Sequence, residues 1–378
     1  MNITVKQTKL KDALITLGRI TEAKSPNTIV SSIHMAALDK TLRMTVTNFA
    51  SEMCCTIPAD VTESGDVIVP AKQLGQWVET ASDDIVMSTK ENRLNARSGK
   101  SKSYFNVIPI NTFPEVEFPP NALYIVTLRS AQLRSGLRQA EISATDSDIR
   151  VVNNSIFIEA LNGKVSFVAS DGQRMSVKSI EVPTPTAGNV LIPKKTAALL
   201  EKTLASKIGE CAIYLSENKV GIKFTGEFTD DEFWFSSLIV NTKFFDYHKL
   251  MELYPETCRT EVDTKSLQLA INQAFIFVSE ERPVVVLEFH DDFINIGTHD
   301  TDTGKIGGNI TNVPTGNLVG EKNIVGIYSA VFLKDVLSVV DGSSIIVIGK
   351  KYDSGNAIYY PLFIEDGNFT HMLSPVVS

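Results

Sequence analysis

The sequence has no apolar run approaching the roughly 18–20 residues that would carry a helix across a bilayer. Its four cysteines, Cys54, Cys55, Cys211 and Cys258, show no paired spacing, and two are adjacent. That pattern excludes a disulfide ladder and a zinc knuckle. Five histidines, His34, His248, His290, His299 and His371, are scattered, with no pair at metal-ligand spacing. A phosphate-cradling Gly-x-x-x-x-Gly-Lys-Ser/Thr loop is absent, as is a Gly-x-Ser-x-Gly nucleophile elbow. Asp300-Thr301-Asp302 with Gly304 resembles the start of a calcium loop, but the position that needs a closing glutamate is Thr311. These absences predict no catalysis, no metal and no cofactor. The competing enzymatic reading is a metal-dependent nuclease or phosphatase using Asp300 and Asp302. The opening residues Met1–Lys6 alternate polar and apolar side chains, a pattern unlike a secretory signal. The expectation is a soluble, reduced, cytoplasmic protein with no membrane partner.

What is present is an ordinary folded composition, 43% hydrophobic and 21% charged, in a chain of 378 residues, long enough for two or three domains. The net charge of −8 argues at face value against nucleic acid, but it is unevenly distributed. Residues 1–122 are neutral, residues 123–249 carry +1, and residues 250–378 carry −9. One end of such a molecule can attract the other end of a neighbour.

An internal repeat organises the chain. Helical spacing of apolar residues occurs at Leu10/Ala13/Leu14/Leu17, Leu74/Trp77/Val78/Ala81, Leu267/Ala270/Ile271/Ala274 and Leu333/Val336/Leu337/Val340. Weaker versions at Leu133/Leu137/Ala140 and Ala197/Leu200/Leu204 complete six helices in three pairs. Strand composition lies between them, as at Val165/Phe167/Ala169, residues 232–236 and residues 345–348, with turn signals at Asn162-Gly163 and Asp341-Gly342. Leu10, Leu133 and Leu267 head equivalent helices, 123 and 134 residues apart. Val69-Pro70-Ala71-Lys72, Ile192-Pro193-Lys194-Lys195 and Ile327-Tyr328-Ser329-Ala330 precede the second helix of each third. The period predicts an α+β protein of three domains, at 1–121, 122–250 and 251–378, and is too long for a solenoid.

The six expected helices, over 8–19, 71–80, 130–141, 194–207, 264–277 and 329–340, carry a net +7, against −15 for everything else. A basic helical surface on an acidic body attracts phosphates by counterion release without reading bases. No base-reading motif is present.

Certain segments carry a resemblance. Val168-Ala169-Ser170-Asp171-Gly172-Gln173-Arg174-Met175-Ser176 is followed by Val190-Leu191-Ile192-Pro193-Lys194-Lys195, then Phe244-Phe245-Asp246-Tyr247 and Leu253-Tyr254-Pro255. In order and spacing this series resembles the bacterial DNA polymerase III β subunit, the sliding clamp. The resemblance covers the whole chain and implies the clamp fold, with two βαβββ units in each domain. It further implies a head-to-tail homodimeric ring that encloses double-stranded DNA without sequence preference. Such a ring tethers a polymerase, a clamp loader and repair proteins through short peptide motifs.

Carried over by position, the resemblance implies DNA-facing roles for Lys24, Lys72, Arg150, Lys194 and Lys195. It implies a peptide pocket at Ser170, Gly172, Gln173, Arg174, Met175, Phe245, Leu250, Met372, Ser374 and Pro375, with Met175, Leu250 and Met372 as its apolar floor. It places a ring interface near Phe105 on one side and Phe277 and Val278 on the other, with Lys100 and Lys102 able to meet Glu280, Glu281 or Glu288. The chain departs from the family pattern at the pocket. Gln173 replaces a histidine, Phe245 a proline and Asn153 an apolar residue, Val151 and Val152 stand for aromatics, and the tail reads Ser374-Pro375-Val376-Val377-Ser378. A phage- or plasmid-borne variant would show such departures, and a clamp-like decoy that captures peptides without encircling DNA would share the same features.

Overall fold

The computed structural model describes residues 1–146, 148–183, 186–205, 208–226, 232–298, 308–350, 352–353 and 358–376. Seven α-helices are formed among them: α1 (Gln7–Leu17), α2 (Ala71–Thr80), α3 (Ser130–Glu141), α4 (Lys194–Leu204), α5 (Tyr247–Leu253), α6 (Thr264–Phe275) and α7 (Ala330–Leu337). Six coincide with the expected helices, because the apolar spacing is what folding buries. Leu10, Ala13, Leu14 and Leu17 are the covered face of α1, and Leu267, Ala270, Ile271 and Ala274 that of α6. Each leucine so covered is worth about 1.5–3 kcal/mol.

The helix ends differ from the periodicity. Gly18 closes α1 with its amide on the Leu14 carbonyl, leaving Arg19 beyond the helix. Helix α4 stops at Leu204, and Lys207 lies outside the described residues. The observed helices therefore sum to +5, not +7, against −13 for the rest of the sequence. Helix α5 was not expected: seven residues are too few to display a period. Its signal is Asp246, whose carboxylate caps the helix by accepting the Lys249 amide.

The chain packs as two compact units, residues 1–135, 160–163 and 182–241, and residues 136–159, 164–181 and 242–378. In the first unit a five-stranded sheet runs Asp60–Glu63, Asn2–Val5, Ile85–Lys90, Arg93–Ser98, Ser101–Asn106. An eight-stranded sheet runs Leu123–Arg129, Gly209–Leu215, Lys219–Gly226, Phe233–Leu238, Ser51–Pro58, Thr41–Thr47, Ser32–Leu38, Gly65–Pro70. Its middle joins strands far apart in sequence, pairing Trp234 with Cys54. Beside that seam Lys219 Nζ lies 2.7 Å from Glu52, which also accepts the Ser236 hydroxyl at 2.8 Å.

In the second unit, successive hydrogen-bonded strands are Lys164–Ser170, Arg174–Glu181, Phe369–Leu373, Leu362–Asp366, Ser344–Lys350, Glu256–Asp263 and Val319–Gly320. A four-stranded sheet runs Ile310–Pro314, Phe293–Thr298, Val284–Phe289, Ile324–Ser329. Leu267, Ile271, Leu333 and Val336 share one apolar core with Val285, Ile296, Val347 and Phe369 of these sheets. A buried polar chain runs through the same unit. The Ser143 and Ser176 hydroxyls are 2.8 Å apart, and Ser176 Oγ is 2.8 Å from His371 Nδ1. Burial pushes the His371 imidazole down to about 3, so it is neutral near pH 7.

Candidate nucleic-acid and peptide interfaces

The second helix of each repeat starts where a strand runs straight into it. Strand Gly65–Pro70 leads into α2, strand Gly188–Pro193 into α4, and strand Ile324–Ser329 into α7. Proline is the residue before both α2 and α4, with its fixed φ set at the junction. The second helical residue is then Lys72, Lys195 or Val331. Lys72 and Lys195 are exposed, each in the first turn of its helix, whereas Lys194 is half-buried. Lys24 is exposed in the loop after α1. No cation stands at the equivalent place in the third repeat.

Arg150 is also exposed, but it belongs to a built turn. Asp148 accepts the Arg150 amide at 2.7 Å and the Asn153 side-chain amide at 2.7 Å, and these bonds hold its carboxyl below the usual range. The Asn153 amide also reaches the Asp171 carbonyl at 3.3 Å, tying this turn to the one at 170–174. Asn153 is buried, so the polar residue at an expected apolar position is a structural tie. A guanidinium nitrogen of Arg150 lies 3.6 Å from where a Cβ on Gly172 would sit. Arg150, one of the DNA-facing candidates, thus lies beside Gly172, one of the pocket candidates.

Gly172 has φ +90°, a conformation that favours glycine. Ser170 Oγ accepts the Gly172 amide at 3.1 Å and donates to the Arg174 carbonyl at 2.8 Å. Asp171 accepts the Gln173 and Arg174 amides and Arg174 Nε, all at 2.9 Å. Arg174 continues to Asp335 at 2.6 Å and lies 4.0 Å over the Phe332 ring, so its charge is occupied within the fold.

Pairing across the sheet puts Ser170 opposite Met175 and Met175 opposite Met372, a row on one face. Ser166 and Ser179 lie further along that face with their hydroxyls 3.0 Å apart, and Tyr247 of α5 stands near Ser166. The Tyr247 hydroxyl donates to Glu159 at 2.8 Å, and the Phe157 and Phe244 rings stack at 4.7 Å. Helix α5 is thereby fastened along the face, with Phe245 39% exposed just before it and Leu250 half-buried within it. The Ser374 amide donates to the Gln173 carbonyl at 2.8 Å, holding Ser374 and Pro375 beside the turn. The floor differs from expectation. Met175 and Met372 are 1% and 6% exposed, so they underlie the site and do not form an open surface.

The interface candidates are placed differently. Phe105 is only 8% exposed, packed edge-on against Trp77 at 6.2 Å. Alternation along the strand turns its neighbour Tyr104 outward, 60% exposed, beneath Arg93 at 4.5 Å. Their strand, Ser101–Asn106, is the outermost of its sheet and offers an unpaired edge. Phe277 and Val278 follow the end of α6 and are half-buried, while Ile276 beside them is 72% exposed. The sequence carried the signal for Tyr104 and Ile276, but the parity of burial was not readable. The residues His299, Asp300, Thr301, Asp302 and Gly304 lie outside the described residues, as do Val377 and Ser378. No described helix is long and apolar enough to cross a membrane.

The chain matches two family descriptions, "DNA polymerase III beta subunit, N-terminal domain" over residues 1–119 and "DNA polymerase III beta subunit, central domain" over residues 127–246. Among curated proteins it is 25% identical to the beta sliding clamp of Pseudomonas aeruginosa over 256 residues, 66% of this chain and 68% of the relative. It is 23% identical to the beta sliding clamp of Escherichia coli K12 over 264 residues, 67% of this chain and 68% of the relative. Among solved structures, the sliding clamp of Bacillus subtilis superposes with a TM-score of 0.88 at 19% identity, covering 100% of this chain and 99% of that one. The clamp of Pseudomonas aeruginosa superposes with a TM-score of 0.85 at 20% identity, covering 100% of both chains.

Proposed function

The chain belongs to the family of the DNA polymerase III beta subunit, and from that membership we propose that it is a processivity clamp whose two copies join head to tail around duplex DNA. It is a non-catalytic accessory subunit, working in the cytoplasm. Three domains, 1–121, 122–250 and 251–378, come from each copy. Phosphates are attracted by Lys24, Lys72, Arg150, Lys194 and Lys195, and no bases are read, so the ring slides. Enclosure, not tight binding, keeps the polymerase on its template.

The observation that carries this reading is the recurrence of an exposed lysine at the same helical position, Lys72 and Lys195, in a protein of net charge −8. An acidic body around basic helix starts favours threading of the duplex over side-on binding. Partner peptides dock along the face underlain by Met175 and Met372, between the 170–175 turn and α5. Phe245 supplies an exposed aromatic anchor there, braced by its 4.4 Å stack on Phe244. Ring closure uses the free edge of strand Ser101–Asn106 against the segment after α6, with Phe105 supporting the edge from beneath and Phe277 and Val278 opposite. The neutral first third and the −9 last third favour this head-to-tail order.

Two measurements test the proposal together. Sedimentation is expected to show a dimer at micromolar concentration, and a primed circular template with loader and polymerase is expected to show longer products when the protein is added. A monomer with no effect on product length would overturn it. Peptide binding without polymerase stimulation would identify a decoy instead.

A further inference from the structure

The eight-stranded sheet of the first unit has two faces. Ile33, Met35, Met44 and Met53 are buried on the one that carries α1 and α2. Alternation turns His34, Ala36, Arg43 and Thr45 to the other, as cross-strand pairs His34–Thr45 and Ala36–Arg43. A strap of chain, a 3-10 turn at Ile110–Thr112 followed by irregular residues 113–118, lies over this second face. Side chains anchor it: the Phe113 ring is 5.5 Å from His34, Val116 packs on Cys54 and Trp234, and Phe118 stands edge-on to Trp234 at 5.8 Å. Between strap and strands is a groove of about 340 Å³, within the range of small ligand sites.

The strap is unusual in its backbone. From Pro114 to Phe118 no main-chain group makes a hydrogen bond to another described residue. Val116 and Phe118 point inward while Glu115 and Glu117 are exposed, the two-residue alternation of extended chain. An extended segment with free amides and carbonyls is a template for a second extended chain. Charge then selects the chain. Neither Glu115 nor Glu117 has a cationic partner among the described residues. In the groove floor, Arg43 Nε donates to Cys54 Sγ at 3.3 Å, and the other guanidinium N–H groups have no partner among the described residues. They are placed to donate to carbonyl oxygens.

We propose that the strap and its groove form a second docking site, for an extended peptide whose alternate side chains are basic. The peptide's main chain pairs with residues 115–117, its carbonyl oxygens meet Arg43, and its cations meet Glu115 and Glu117. The groove shares no lining residue with the proposed ring interface or with the Met175–Met372 face.

The test uses the full-length protein and a fluorescent, terminally blocked octapeptide of alternating valine and lysine. Saturable binding by anisotropy is expected, with slowed hydrogen exchange at the amides of Glu115, Val116 and Glu117. The Glu115→Gln/Glu117→Gln variant, altered only at exposed positions, should bind roughly five- to tenfold more weakly. An octapeptide of alternating valine and glutamate should leave those amides unprotected. The proposal is overturned if the basic peptide at millimolar concentration leaves the strap amides unprotected, if the double variant binds it equally well, or if the acidic peptide protects the strap to the same extent.

Discussion

Replacing Lys195 by alanine removes an exposed cation from the first turn of α4 without disturbing its buried face, Thr196, Ala197 and Leu200. In a ring of two copies two cations are lost. Each phosphate contact contributes about 0.9 to the slope of log affinity against log salt, so the slope should fall by roughly 1.8. Over a fourfold rise in salt, from about 50 to 200 mM, that slope change corresponds to roughly a twelvefold factor. The advantage of the natural protein over the variant should therefore shrink about twelvefold across that range. Adding Lys194→Ala should lower the slope further, by up to the same amount, although Lys194 is half-buried and already engaged within the fold. Lys72→Ala, at the equivalent helical position, should match Lys195→Ala alone. The assay is anisotropy of a labelled duplex over a salt series, with thermal melting as the control for folding. Parallel slopes, with affinity lowered equally at every salt concentration, would refute the reasoning, because the lysines would then act on the protein and not on phosphate.

Other expectations follow from packing and titration. Gly136→Ala should lower the melting temperature, because a Cβ there would press into the Phe167 ring, and overpacking costs about 1–3 kcal/mol, more than the roughly 1 kcal/mol that alanine adds to a helix. His371 is held neutral by burial, so the unfolded chain binds its proton first as pH falls. Stability should drop as pH goes from about 6.5 toward 3, and His371→Asn, read by denaturant titration, should flatten that part of the profile. Burial raises the Cys54 and Cys211 thiols to about 11 and about 12, so a thiol reagent at pH 8 should modify neither until the protein unfolds. Phe245→Ala should weaken a clamp-binding peptide roughly tenfold while leaving the dimer intact, as hot-spot aromatics do, and an unchanged titration curve would remove that residue from the site.

Much of this was legible in the sequence, for identifiable reasons. Apolar spacing located six helices because a buried stripe must recur every three or four residues, and the same leucines head the buried faces of α1 and α6. Repetition located the junctions before α2, α4 and α7, because in each a strand runs straight into a helix. The unread parts depend on long-range pairing. The Trp234–Cys54 seam joins strands 180 positions apart in number, and no local pattern announces it. Phe105 and Tyr104 are adjacent aromatics, and the strand's register decides which is buried. Arg150 comes beside Gly172 through Asp148 and Asn153, a side-chain network invisible to periodicity. Met175 and Met372 pair across neighbouring strands, and their depth is set by that long-range pairing, which no local pattern announces.

Loading onto a nicked circular duplex, followed by a single linearising cut, is the most direct measurement of the ring. Retention on closed circles through a high-salt wash, with release after the cut, is the predicted result. Loss from the closed circles in the wash, or equal retention on circular and linear DNA, would contradict enclosure as the basis of the protein's hold.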